Sequence, residues 1–147
     1  MSARLLVDDH LLVRVLLGQE PDELRRDGQP IATTGLWYHR LCRALADATV
    51  TGSLSRSLGD VGPDLARRAV ASTIDLPDDV ELISLRELGW PMATHLAEGH
   101  RLNLLSLEAL AAAAAGGATI CLGATDRNPP LQAAASRLGI EVRLIDA

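Results

Sequence analysis

Apolar residues in this chain fall into two patterns, short unbroken runs and longer stretches at helical spacing. The short runs Arg4 to Val7, Ile31 to Thr34, Val80 to Leu85, Ala118 to Leu122 and Glu141 to Ile145 predict strands. Between them lie helical patterns. Leu11 to Leu17 stops at Gly18, and the polar PDELRRDG begins at Pro21 and stops at Gly28. The stretch LWYHRLCRALADA carries Leu36, Leu41, Ala44 and Leu45 at helical spacing, and Pro63 to Ile74 follows. Glu87 to Gly99 predicts a helix disturbed at Pro91. Glu108 to Ala115 runs into the stop Gly116-Gly117, and a last helix runs from Pro129-Pro130 to Leu138, with Gly139 as its cap. Thr49 to Asp60 is rich in Gly and Ser and predicts a loop, and Leu76 to Asp79 predicts a turn.

Strands alternating with helices predict an α/β domain in three layers, with a mainly parallel sheet of about five strands flanked by six or seven helices. The 147 residues suit a single domain over 1–147. Composition adds detail to that picture. With 48% hydrophobic residues, no Phe, one Tyr and two Trp, the core must be built from Leu, Val, Ile and Ala. All fourteen basic residues are Arg, and there is no Lys. A net charge of −5 argues against a broad nucleic-acid-coating face but leaves room for an acidic metal-dependent site. Cys42 and Cys121 sit in apolar patterns, as buried reduced thiols do. No apolar run approaches the roughly 18 residues of a membrane span. The opening MSARLLVDDH meets charge too early for a signal peptide, so a cytoplasmic location is expected.

Candidate chemistry gathers at strand ends. Asp8 and Asp9 follow the first strand and Asp126 follows the fourth, where open α/β sheets hold ligands and catalytic groups. Each also has a plain structural reading, since Asp after a strand caps the next helix. Asp9 reads as a cap or a supporting group. Glu108 is either a ligand or a first-turn charge favoured by the helix dipole. Trp37, Tyr38, His39 and Arg40 put scarce aromatics beside an Arg, with Arg43 on the same helix face. Such a cluster can stack on a base and hold a phosphate, or it can bury Trp37 and leave the rest at the solvent edge. His95 and His100 are five apart, a poor spacing for one helix face, and Arg67-Arg68 reads as a solvated face. GSLSRSLG lacks the Gly-Lys-Ser/Thr of a phosphate-binding loop, and neither a dinucleotide fingerprint nor Gly-x-Ser-x-Gly occurs.

The thirteen residues LLVDDHLLVRVLL resemble the opening of response-regulator receiver domains, whose acidic pair helps bind Mg²⁺. That family also needs a phospho-accepting Asp after a middle strand and a late Lys, and this chain supplies neither. The same stretch, together with Glu108-Ala-Leu-Ala-Ala-Ala, Gly-Ala-Thr-Ile-Cys-Leu, Thr125-Asp126-Arg127 and the closing LQAAASRLGIEVRLID, resembles PIN-domain proteins over most of the chain. The resemblance implies a metal-dependent ribonuclease, in which Asp8, Asp126 and Glu108 bind Mg²⁺ or Mn²⁺ and the metal activates water for phosphodiester cleavage. Trp37, Tyr38, Arg40 and Arg43 would then contact RNA. It further implies an antitoxin-like protein partner and a homodimer, as in bacterial toxin-like PIN proteins. One departure is chemical: the family's second acidic position falls on Arg40, which cannot ligate a metal but can neutralise carboxylates or bind phosphate. The third position is shared between Glu108, which needs a helix two residues shorter, and Ser106, which matches without a gap. The alternatives are a PIN-like binding or regulatory module without catalysis and, less favoured, a degenerate receiver domain.

Overall fold

The computed structural model describes residues 4–26, 28–46 and 63–146. Five strands run β1 (Leu5–Val7), β2 (Ile31–Thr34), β3 (Val80–Ile83), β4 (Thr119–Gly123) and β5 (Val142–Ile145). Among the described residues there are six helices: α1 (Asp9–Leu16), α2 (Gly35–Ala46), α3 (Pro63–Ile74), α4 (Leu85–Ala97), α5 (Leu104–Gly116) and α6 (Pro129–Arg137). The strands pair in the order β3-β2-β1-β4-β5, all parallel. This is the α/β three-layer architecture expected from the alternating pattern. The order also differs from the 2-1-3-4-5 of flavodoxin-like sheets.

Strand alternation builds two cores. Leu5, Val7 and Cys121 face one side, with Leu11, Leu12, Leu41, Ala44 and Ala69 from α1 to α3. Leu6, Ile120 and Leu122 face the other, with Leu88 and Met92 of α4, Leu107 and Ala109 to Ala113 of α5, and Leu131 of α6. The period of two along each strand is what lets helices cover both faces. The sheet reverses its winding at β1 and β4, so the crevice beyond their C-terminal ends is the topological switch point.

Several boundaries differ from the pattern's prediction. No helix forms at 21–28 among the described residues; Leu24 alone is buried there, closing one turn with its N–H on the Pro21 carbonyl at 3.0 Å. One apolar anchor cannot hold an amphipathic helix against a core. β3 ends at Ile83 because Ser84 caps α4, so α4 begins two residues before the predicted start and runs on through Pro91. α5 begins at Leu104, four residues early, because Asn103 accepts the Ser106 N–H. The predicted loop at 49–60 lies outside the described residues. No helix among those described is long and apolar enough to cross a membrane.

Candidate functional site

Asp8 and Asp9 leave β1 together and take different tasks. Asp8, 1% exposed, is the N-cap of α1: its Oδ1 accepts the Leu11 N–H at 2.9 Å. Its Oδ2 accepts the Gly123 N–H from the end of β4, also at 2.9 Å. Burial pushes the Asp8 carboxyl up to about 7, reinforced by the neighbouring Asp9 charge and opposed by the two backbone donors and Arg40. The close approach of α1 to the end of β4 requires Gly123, where a Cβ would lie 2.9 Å from the Cβ of His10.

Asp9 is also buried, and it faces Arg40 of α2. Arg40 Nε donates to Asp9 Oδ2 at 2.5 Å, and Nη2 donates to Asp9 Oδ1 at 2.6 Å. The same Nη2 donates to Asp126 Oδ2 at 3.0 Å, past the end of β4. One guanidinium thus joins carboxylates from the ends of two adjacent strands, and the Arg40 and Asp126 side chains are 37% and 40% exposed. Burial works against the charged guanidinium, but hydrogen bonding and attraction to Asp9, then to Asp126, outweigh it and hold the group charged. The fork geometry of Arg suits this bidentate pairing. In the sequence Asp9 reads as a cap or supporting group; the cap is Asp8, and Asp9 is the main partner of Arg40.

The third and fourth predicted positions are turned to other work. Glu108, 1% exposed in α5, accepts the Leu36 N–H at 2.8 Å and so satisfies an orphan donor at the start of α2. The Ser106 hydroxyl accepts a hydrogen bond from Asn128 Nδ2 at 2.9 Å. Among the described residues, Asp8, Asp126 and Glu108 do not form a trio whose oxygens all lie within 4.8 Å of one another. The structure therefore joins Asp126 to Asp9 through Arg40, and does not gather the expected carboxylates.

The residues of the expected nucleic-acid face divide between core and surface. Trp37 is 1% exposed and packs in the core with Leu6, Leu88 and Leu110, so it has no free ring face for a base. Tyr38 donates its hydroxyl to the Thr73 carbonyl at 2.7 Å, tying α2 to α3. Burial, then the Cys42 side chain, raises its phenol above the usual range. Of the polar residues of this helix, His39 and Arg43 stand exposed beside Arg40. Both thiols are free; Cys121 is buried, which pushes its thiol up to about 11 and leaves it inert, while Cys42 is half-buried.

One constellation was set aside in the sequence because its two His are five apart. His95 at the end of α4, Glu98 and His100 each offer a donor atom, and the three atoms lie within 4.8 Å of one another. The available signal was Gly99, a helix-stopping residue placed to fold His100 back. Compared with known proteins, no family model and no curated protein matches the chain.

Proposed function

We propose that the chain is a PIN-like binding or regulatory module of metal-dependent ribonuclease lineage, in which Arg40 takes the place of the catalytic ion. One observation carries this reading: Arg40 Nη2 lies between Asp9 Oδ1 and Asp126 Oδ2, at 2.6 and 3.0 Å. A hard divalent cation bridging two strand-end carboxylates would need the same oxygens, and here a built-in cation already holds them. Two further features support it. Both Asp8 oxygens are engaged by backbone N–H groups, and Glu108 caps α2. Asp8 therefore keeps both oxygens on backbone donors, and one Glu108 oxygen is held at the start of α2.

The test is a paired measurement with Mn²⁺ and single-stranded RNA. The natural protein is expected to leave RNA intact and to show no stoichiometric Mn²⁺ binding by calorimetry. Arg40→Glu, which returns an acid to that position, is expected to gain Mn²⁺ binding. Mn²⁺-dependent cleavage by the natural protein that disappears in Asp126→Asn would establish the active nuclease instead.

A further inference from the structure

At the other edge of the sheet, away from the Arg40 network, α4 ends in a turn that brings two imidazoles together. The Gly99 N–H bonds to the Leu96 carbonyl at 3.1 Å, and the His100 N–H bonds to the His95 carbonyl at 3.2 Å. Gly99 adopts φ +95°, which a side chain disfavours. These are the paired bonds of a Schellman turn, whose outer residue normally packs apolar surface against the residue five before it. Here both of those residues are His, with ring centroids 5.8 Å apart in an edge-to-face arrangement. Helical spacing alone separates them; the reversal at Gly99 rejoins them.

The pair is unsatisfied. Nδ1 of His95 and Nδ1 of His100 are both buried without a hydrogen-bond partner, and His100 as a whole is only 8% exposed. A buried polar atom left unpaired costs about 1–3 kcal/mol, so two in one cluster point to a missing partner. Glu98 Oε2 stands 3.8 Å from His95 Nδ1, with the Glu98 side chain 56% exposed. His95 also lines a cavity of about 490 Å³ with Thr119, Leu138 and Glu141.

From this geometry we infer that His95, Glu98 and His100 form a Zn²⁺ site, whose imidazole donors disfavour the oxygen-seeking Mn²⁺. Two imidazoles and one carboxylate suit Zn²⁺, whereas Mg²⁺ and Ca²⁺ take oxygen donors. Tetrahedral Zn²⁺ with bonds of about 2.0–2.1 Å needs donors about 3.3 Å apart. Binding would draw the three donors in from their present spacing of up to 4.8 Å. Three protein ligands leave one position open for water or a small ligand. This site is independent of the Arg40 network and stands whether or not that reading holds.

The test is calorimetric titration of the full chain with Zn²⁺, alongside nuclear magnetic resonance of the His side chains. One equivalent is expected to bind, shifting the His95 and His100 signals and leaving His39 unmoved. His95→Gln and His100→Gln are expected to weaken binding by at least the roughly 10- to 100-fold that losing even an outer partner costs. Glu98→Gln, at an exposed position that does not threaten folding, is expected to weaken binding as well. Asp126→Asn is expected to leave it unchanged. Absence of stoichiometric Zn²⁺ binding, or binding equally tight in all three ligand variants, would overturn the site.

Discussion

The neighbouring residues Asp8 and Asp9 show how one backbone position changes the chemistry of a carboxyl. Asp8 points back to cap α1 and across to Gly123, so burial dominates and its pKa rises to about 7. That value lies above the unfolded one of 3.8, so the folded chain holds the extra proton between these two values. The stabilisation from Asp8 is therefore complete below pH 3.8 and lost as pH rises through about 7. Denaturant unfolding from pH 4 to 8 is expected to show this downward component, and Asp8→Asn is expected to remove it. Asp9 instead meets Arg40. Arg40→Met leaves a buried carboxyl without its counter-charge and is expected to cost about 1–3 kcal/mol. Asp9→Asn in the Arg40→Met background is expected to recover part of that loss. Additive costs in this double-mutant cycle would mean that the two residues do not interact.

At the scale of elements, strand–helix junctions set the site. α1 approaches the end of β4 so closely that Gly123 leaves no room for a methyl group against His10. Gly123→Ala is expected to destabilise the fold by about 1–3 kcal/mol through overpacking, read from the denaturation midpoint at unchanged slope. The helices are equally bound to one another. Glu108 of α5 closes the start of α2, and Tyr38 of α2 reaches the Thr73 carbonyl of α3. These contacts explain why the aromatic cluster around Tyr38 misleads at the sequence level. Scarcity marked Trp37 and Tyr38 as special, but Trp37 fills the core and Tyr38 braces α2 against α3.

For the whole molecule, two polar centres lie at opposite edges of one parallel sheet. The C-terminal edge carries Asp8, Asp9, Arg40 and Asp126 at the switch point; the N-terminal edge carries the cavity by Thr119 and the pair His95 and His100. Their chemistry separates them by ion type. Zn²⁺ at about 100 times its dissociation constant is expected to stabilise the fold by about 2.7 kcal/mol through linkage. Mn²⁺ is expected to leave the natural protein unmoved while Arg40 holds the oxygens. A melt with each ion reads both expectations, and stabilisation by Mn²⁺ that vanishes in Asp126→Asn would reverse the assignment at the C-terminal edge.

The α/β class, the five strands and most helices were legible along the chain because hydrophobic period is a local property that burial enforces. The span of α3 matched its prediction, and Gly117 and Gly139 ended their helices at positive φ as their positions implied. The helix predicted from Pro21 failed because its polar pattern had no face to bury. The candidate site was legible only as an inventory of residues. Asp8, Asp126, Glu108 and Arg40 are all present, but hydrogen bonding across 72 and 86 positions of sequence decides which carboxyl meets which donor. The same holds for His95 and His100, which helical spacing separates and a left-handed Gly99 turn rejoins. Sequence pattern determined the layers of this protein, because period and burial act along the chain. Tertiary structure alone decided the pairing of its charges, because electrostatic partners are chosen through space.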